Sequence, residues 1–515
     1  MAARMMQCDC ISGIRSLLRG SSSPTSRSQF SPTIARVRYA SQRSVSQSYE
    51  VRQTLGSGSF GVVSLAVSKQ CGRECVLKVV DRAVLEDCAA LDLEVSLHAE
   101  MDHPHIVRIY ESFVTSARMS ILMEWCQGGE LCTALEDQGC FSECDSYFLF
   151  TQVMRAVRYM HGKEVVHRDL KLENFLLQKK DVPLDQNVVK LIDFGFARRF
   201  TPGTCELSTI CGSPGYAAPE VWLGSKYDES CDIFSCGVIL FCMLAGRMPF
   251  DGETSSEIIR ATTRHPLVFE AEECCDLSVE SRRLVARMCA KSPCKRPSAK
   301  DVLSSSVVQE SSDDEADRPH HFPSKLLRSM SNFGKLDSLA QASLCRVAYH
   351  LDDALVEDMR KVFNQIDSDN DGMISLDEMR QAEGSIGKYD FARVEDLFRN
   401  ADYDGSGAIE YTEFLAATLG SARLPESACK AAFRSLDPDL DGQIRVGELQ
   451  EAIKSPGYTS DGQELHHLIS RADSNCDGAI CYDEFVAILN AKDGRQNGFI
   501  GGPKLADADG LLGGA

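Results

Sequence analysis

The sequence predicts an α+β chain in two structural parts: a bilobal domain of mixed strands and helices, then an all-α module of four helix–loop–helix units in two pairs. Three observations carry that reading. From Tyr49 a β-rich stretch with a glycine-rich turn gives way to a mostly helical one. A twelve-residue acidic pattern recurs four times in the last third of the 515 residues. Between the two lie a polar run and a basic segment with helical apolar spacing. A chain of this length has room for two or three domains with full-sized cores.

The acidic repeats begin at Asp367, Asp402, Asp437 and Asp473, at intervals of 35, 35 and 36 residues, about one helix–loop–helix unit each. The first loop, 367–378, supplies Asp367, Asp369 and Asp371 at positions 1, 3 and 5, the carbonyl of Met373 at position 7, and Glu378 at position 12. A hard cation of six or seven oxygen ligands needs that set. The second, 402–413, offers Asp402, Asp404, Ser406, Ala408 and Glu413. The third, 437–448, offers Asp437, Asp439, Asp441, Gln443 and Glu448, and the fourth, 473–484, offers Asp473, Asn475, Asp477, Ala479 and Glu484. Position 6 is always glycine, where the chain must turn with positive φ. Position 8 is always isoleucine (Ile374, Ile409, Ile444, Ile480), placed for a short strand that pairs with a partner loop. Phe363, Phe398 and Phe433 each stand four residues before a loop, as amphipathic helices require. The pattern resembles the calcium loop of EF-hand proteins. A solvated acidic loop explains one such match, but not four in register. Arg445, at position 9 of loop 3, offers no oxygen and brings positive charge near the ion, so loop 3 is expected to bind more weakly than loop 1.

The net charge of −20 is uneven, because residues 351–490 carry 29 acidic and 12 basic side chains. The acidity belongs to the calcium module and gives no reason to invoke nucleic acid. The 22 cysteines show no C-x-x-C pair or repeating interval and read as buried thiols in a reducing compartment. The longest apolar run, 236–246, is too short to span a bilayer, so a soluble protein is expected. Residues 1–48 hold seven arginines, twelve serines and one acid, Asp9. That composition fits a disordered tail, the preferred reading, and as an alternative an organelle transit peptide processed near residues 38–41. Position 2 is not glycine, which excludes N-myristoylation, while Cys8 and Cys10 are open to palmitoylation.

Chemistry enters with Gly56-Ser57-Gly58-Ser59-Phe60-Gly61-Val62-Val63, a G-x-G-x-x-G-x-V run whose glycines let backbone amides approach the ATP phosphates. Alone it is weak evidence. Seventeen residues after Gly61 comes Lys78, at the end of a strand-like run containing Val76. It places one cation for the α- and β-phosphates, and Glu94 in the following helix-like stretch is its expected ion-pair partner. His167-Arg168-Asp169-Leu170-Lys171-Leu172-Glu173-Asn174 is an intact catalytic loop, followed by Asp193-Phe194-Gly195 and Ala218-Pro219-Glu220. In these roles Asp169 orients the substrate hydroxyl and accepts its proton, Lys171 steadies the transferring phosphoryl group, and Asn174 and Asp193 hold magnesium. Glu220 is expected to pair with Arg296, and Asp232 to brace the catalytic loop; both are structural roles.

Residues 49–305 resemble the eukaryotic protein kinase family, in particular its calcium- and calmodulin-regulated branch. The resemblance implies Ser/Thr specificity from Lys171, a gatekeeper at Met123, and an adenine hinge from Glu124 to Cys126. The family holds an arginine three residues before the target with two glutamates, matched here by Glu130 and Glu173, which implies an R-x-x-S/T preference. Val76 replaces the usual alanine above the adenine, Phe234 a tryptophan, and Ser213 a threonine; none removes a catalytic group.

Residues 306–320 form an acidic polar linker. Over 321–350 apolar residues recur at helical intervals among Lys325, Arg328, Lys335 and Arg346, giving one basic amphipathic helix suited to an acidic calcium-loaded partner. The order of kinase domain, basic junction, four EF-hands over 351–491 and a Gly-rich tail over 492–515 resembles the calcium-dependent protein kinases of plants, algae and protists. The implied architecture is a bilobal protein-kinase fold followed by an all-α calmodulin-like domain. The resemblance implies a monomer using ATP, Mg2+ and Ca2+, cytoplasmic or nuclear, whose junction blocks the cleft until calcium opens the EF-hands to bind it. Leu326 to Ser331 reads as a φ-x-R-x-x-S site, either pseudosubstrate or autophosphorylation target; a purely structural helix is the blander reading. Thr209 lies where the calmodulin-dependent branch carries an activating phosphothreonine, with Arg168 as its cationic partner; the resemblance equally allows a fixed acidic residue in that role, and Glu206 is nearby. Two rival readings stand beside the calcium-gated enzyme: a catalytically dead scaffold, and a kinase whose EF-hands only buffer calcium.

Overall fold

Alternating burial along Gly61–Ser68 (β2) and Glu74–Asp81 (β3) marks strands with one face on a core, and with Tyr49–Gly58 (β1), Ile109–Val114 (β4) and Arg118–Met123 (β5) they build an antiparallel sheet in the order β1-β2-β3-β5-β4. The computed structural model describes residues 45–58, 61–82, 88–269, 277–310, 324–384, 391–419, 424–452 and 462–490. Most of the N-terminal extension, residues 311–320 of the linker, the Gly-rich tail, Ser59 and Phe60 lie outside the described residues, while the expected start of the linker, Ser306–Glu310, is instead a short helix with Val308 buried in the core of the helical lobe. Helix Cys88–Ala99 (α1) lays Leu91 and Val95 on this sheet beside Met119 and Ile121 of β5. The β1–β2 turn demands glycine: Gly61 has φ +141°, and a Cβ there would lie 1.9 Å from the carbonyl oxygen of Val79.

The second lobe is helical. Leu131–Gln138 (α2), Glu143–Gly162 (α3), Pro219–Trp222 (α4), Ser230–Ala245 (α5), Ser255–Arg264 (α6), Val279–Met288 (α7) and Ala299–Leu303 (α8) surround one apolar core. Ser142 caps α3 by accepting the Asp145 amide at 3.0 Å, with Glu143 and Asp145 in its first turn where negative charge suits the helix dipole. Short strands Gly129–Glu130 (β6), Val165–Val166 (β7), Phe175–Leu177 (β8), Val189–Leu191 (β9) and Arg198–Arg199 (β10) pair as β6-β8-β9 and β10-β7, which fixes the catalytic loop between β7 and β8.

The junction departs from the sequence expectation. Instead of one helix it forms two, Ser324–Phe333 (α9) and Ser338–Tyr349 (α10). Gly334 ends the first turn pattern, and Asp337 starts the second helix by accepting the Ala340 amide at 3.0 Å. Both helices pack into the EF-hand module. Their buried Leu327, Met330, Phe333, Leu339 and Leu344 share one core with the EF-hand helices.

Those helices are Asp353–Ile366 (α11), Leu376–Gly384 (α12), Phe391–Ala401 (α13), Tyr411–Thr418 (α14), Glu426–Leu436 (α15), Val446–Ala452 (α16), Gly462–Ala472 (α17) and Tyr482–Asn490 (α18). α9 packs on α13 and α14, and α10 on α14, α15 and α18, so both pairs grip the junction. The repeated isoleucine does pair the loops: Ile374 and Ile409 exchange two backbone hydrogen bonds of 2.9 Å, and Gln443–Ile444 (β11) pairs with Ile480–Cys481 (β12). Among the described residues no helix is long and apolar enough to cross a membrane, and every described cysteine is a free thiol.

Candidate active site and calcium loops

β3 presents Lys78 toward α1, where Glu94 Oε1 lies 3.4 Å from its Nζ. Burial works against charge on Lys78, but Glu94 and Asp193 outweigh it and hold the ammonium above its ordinary value. Burial likewise opposes ionisation of Asp193, yet Lys78 and His167 bring its carboxyl below the usual range. Asp193 adopts φ 65° and Arg168 φ 70°, left-handed conformations rare outside glycine and typical of sites held by their surroundings. The fully buried Phe194 stacks on His98 with ring centroids 4.5 Å apart, so the aspartate ahead of it turns into the cleft.

The catalytic loop is cross-braced. Lys171 Nζ lies 3.1 Å from both Asp169 Oδ2 and the Ser213 hydroxyl, which donates to Asp169 Oδ1 at 2.8 Å. Asn174 donates through Nδ2 to the Asp169 carbonyl at 2.8 Å, which leaves its amide oxygen facing elsewhere. Beneath, fully buried Asp232 accepts the amides of His167 (2.9 Å) and Arg168 (2.8 Å). Glu220 and Arg296 form a buried two-pronged pair, 2.5 and 2.7 Å. The first of the glutamates matched to substrate arginine, Glu130, is exposed; the second, Glu173, buries its Oε2 without a hydrogen-bond partner among the described residues, and burial raises its pKa.

At the hinge, Val76 of β3 pairs with Met123, and Cys126 is buried. The Glu124 side chain turns away from the cleft, against Lys190 of β9 at 3.0 Å. Lys190, 1% exposed, also meets Asp353 Oδ2 at 3.0 Å at the start of α11, and Arg360 reaches the same carboxylate at 3.4 Å. Sequence reasoning missed this cluster. Its members are scattered singly over more than two hundred residues and carry no motif.

The activation segment also differs in detail. Arg168 donates through Nη1 to the Tyr227 hydroxyl at 3.1 Å, and that hydroxyl donates to the Thr209 carbonyl at 2.7 Å. The cation expected to meet a phosphate on Thr209 thus already has a phenol partner, while the Thr209 side chain is exposed. Glu206 accepts the Thr201 amide at 2.9 Å. Ser331 is half-buried within α9, which packs on the EF-hand helices.

All four acidic loops share one backbone form. Position 4 is left-handed in each (Asn370 57°, Gly405 70°, Leu440 55°, Cys476 61°), as is position 6 (Gly372 83°, Gly407 89°, Gly442 86°, Gly478 85°). In each, the position-6 amide donates to the position-1 aspartate at 2.8–3.1 Å. Three carboxylate oxygens converge within 4.8 Å in loops 1 (Asp367, Asp369, Asp371), 2 (Asp402, Asp404, Glu413) and 3 (Asp437, Asp439, Glu448). Burial, with the charges of Asp371 and Glu378, pushes Asp367 up to about 8, crowding of a kind that a divalent cation relieves. The donor set therefore fits calcium. In loop 3 Arg445 folds back onto Asp441 and lies 3.9 Å from Asp439, so two carboxylates of that loop already face a cation.

The protein kinase domain family matches residues 49–308, and the EF-hand domain pair matches twice, over 356–419 and 426–489. Calcium-dependent protein kinase 5 of Plasmodium falciparum (isolate 3D7) is 31% identical over 450 residues, 86% of this chain and 78% of that protein. Calcium-dependent protein kinase 17 of Arabidopsis thaliana is 33% identical over 452 residues, 86% of this chain and 84% of that one. Calcium-dependent protein kinase 9 of Oryza sativa subsp. japonica is 32% identical over 454 residues, covering 87% and 78%. With a bilobal catalytic domain, a gripped junction and two EF-hand pairs in one order along the chain, this protein belongs to the calcium-dependent protein kinase family.

Proposed function

We propose that the chain transfers the γ-phosphate of ATP to Ser or Thr hydroxyls of proteins, prefers an arginine three residues before the target, and does so when calcium loads its EF-hands. The observation that carries this reading is the coexistence of two assembled states: the Lys78–Glu94 pair with Asp193 in place, and a junction buried in the EF-hand core. Both halves of the first are required for phosphoryl transfer in kinases. In the reaction Asp169 orients the acceptor hydroxyl and takes its proton, while Lys171, tied to Asp169 and Ser213, neutralises charge on the moving phosphoryl group. Lys78 holds the α- and β-phosphates beneath the glycine-rich turn. Asp193 and Asn174 would hold magnesium, which supplies charge neutralisation at the phosphate oxygens. Glu173 supports the basophilic preference, because a buried carboxylate oxygen without a partner favours an incoming guanidinium.

The gripped junction supports calcium gating. The loop carboxylates headed by Asp367, Asp402, Asp437 and Asp473 would hold calcium, whose charge would offset their mutual repulsion and favour the form in which the EF-hand helices offer apolar surface to α9 and α10. Without calcium the closed pairs release the junction, and its φ-x-R-x-x-S sequence becomes available to the cleft as a pseudosubstrate. Peptide phosphorylation by the purified protein across a calcium titration tests reaction and gating together. Equal activity in EGTA and in micromolar calcium rejects the gating. Asp169→Asn should lower phosphotransfer to an R-x-x-S peptide by about 10²–10⁴-fold, with calcium binding unchanged; full activity in that variant rejects the catalytic assignment.

A further inference from the structure

The contact that completes the Lys78 site, 3.4 Å from Nζ to Glu94 Oε1, is a single one and longer than an ordinary hydrogen bond. A contact of that length does not by itself hold a helix, so part of what places α1 must lie elsewhere. Two ion pairs stand at its ends. At the front, Arg82, just past β3, meets Asp92 with both prongs of its guanidinium, Nη1 to Oδ1 at 2.7 Å and Nη2 to Oδ2 at 3.2 Å. Arg82 is itself fixed: its amide donates to the Ala117 carbonyl at 2.8 Å, and its own carbonyl accepts the thiol of Cys88, the first residue of α1, at 3.6 Å. At the back, Glu100, one residue past α1, pairs through Oε2 with Arg199 of β10. Arg199 also donates to the Lys163 carbonyl at 3.3 Å, and its strand is held to β7, with Arg199 opposite Val165.

The geometry gives each pair a distinct hold on Glu94. Two residues are about 200° of helix, so Asp92 and Glu94 leave α1 from opposite sides, and a roll that takes Glu94 from Lys78 must pull Asp92 off Arg82. From Asp92 to Glu100 is about 12 Å along the axis, so the back pair resists a tilt that the front pair cannot. Between them, His98 Nε2 meets the Val107 carbonyl at 2.6 Å and the His98 ring stacks on Phe194. Arg199 follows Asp193-Phe194-Gly195 along the chain, so the back pair also joins α1 to the start of the activation segment. Neither pair is fully buried: side-chain exposures are 14% and 31% at the front, 35% and 25% at the back. Neutralising one carboxylate therefore strands no buried charge, and it loosens the placement of the helix rather than the core beneath it.

We propose that Arg82, Asp92, Glu100 and Arg199 are positioning residues for phosphoryl transfer, acting through α1 to keep Glu94 on Lys78 and so Lys78 on the ATP phosphates. The inference rests on the catalytic reading of Lys78, which Lys78→Met tests separately: undiminished activity there rejects that reading, whatever the ion-pair variants do. Full-length protein in saturating calcium is assayed with an R-x-x-S peptide as wild type, Asp92→Asn, Glu100→Gln, the two combined, and the charge swap Arg82→Asp/Asp92→Arg. Partly exposed pairs couple weakly, so each single change should lower kcat/KM for ATP by about two- to fivefold. The pairs are far enough apart for their effects to multiply, so the combination should lose about four- to twenty-five-fold. KM for the peptide should stay at the wild-type value, which separates a hold on Lys78 from a general loosening of the domain. The swap restores an arginine–carboxylate pair between the same two positions and should bring kcat/KM for ATP back to within about twofold of wild type. Backbone amide exchange over 88–99 should quicken in the single variants while that of α3 stays as in wild type. A combined loss below about twofold overturns the inference. So does a loss shared equally with the peptide KM, or a loss in Asp92→Asn that the swap does not recover.

Discussion

Substituting Asp353 tests whether the buried charge cluster behind the hinge holds the EF-hand module to the kinase domain. Lys190 sits 3.0 Å from both Glu124 and Asp353, at 1% exposure, with Arg360 beside the same aspartate and Arg108 donating to the carbonyls of Tyr349 (3.5 Å) and Leu351 (3.3 Å). Three cations against two carboxylates leave the cluster at +1, and Asp353→Asn makes it +2. Breaking a buried pair by removing one partner costs about 3–5 kcal/mol. Glu124 continues to pair Lys190, so the lower figure, about 3 kcal/mol, applies while the module stays docked.

Undocking hydrates Lys190 and relieves that cost. The loss should therefore appear as a docking equilibrium weakened about a hundredfold rather than as global unfolding. Backbone amide exchange over β9 and α11, measured in saturating calcium, reads the docking directly. Adding Lys190→Met to Asp353→Asn returns the cluster to +1 and leaves Glu124 with the Gln178 amide at 3.2 Å and the Arg108 amide at 3.2 Å. The double variant should recover most of the protection, because an apolar side chain of similar length replaces a buried ion at little cost. Unaltered exchange in Asp353→Asn, or no recovery in the double variant, refutes the reasoning.

Three further outcomes follow. Arg445→Ser removes a cation from Asp441 and Asp439 and places at position 9 of loop 3 the residue type that loop 1 has there, Ser375, so calorimetry should find tighter binding at that site. Tyr227→Phe deletes the hydroxyl between Arg168 and the Thr209 carbonyl; hydrogen bonds to charged groups contribute about 1.5–3 kcal/mol, so limited proteolysis should cut the variant faster within 201–212. Burial holds His98 down to about 4, below its ordinary 6.5, while the unfolded chain takes up the proton at the higher value. Stability is then fully present above pH 6.5 and falls as pH drops toward 4, by about 3 kcal/mol in total for this group; the buried His103, His105 and His350 add slope of the same sign, so thermal unfolding at a series of pH values should show a slope that His98→Gln reduces.

Much of the fold and the chemistry was legible because it depends on short-range pattern. Position 6 of each loop must adopt positive φ, so glycine recurs and the repeats announce themselves. The catalytic loop packs its orienting groups within eight residues of sequence, and helical spacing exposed the apolar faces of Phe363, Phe398 and Phe433. The junction was misjudged as one helix because apolar periodicity runs through residues 333–338, while a glycine and an N-capping aspartate, weak signals singly, decide the break.

What remained hidden is of a different physical kind. Lys190 and Asp353 look like ordinary surface charge along the sequence. Their meaning arises when the acidic module folds against the kinase domain and brings them together across more than 150 residues of sequence. The catalytic groups are specified by local geometry that any active kinase needs, whereas the docking charges are specified only by the pairing of two surfaces of this one chain.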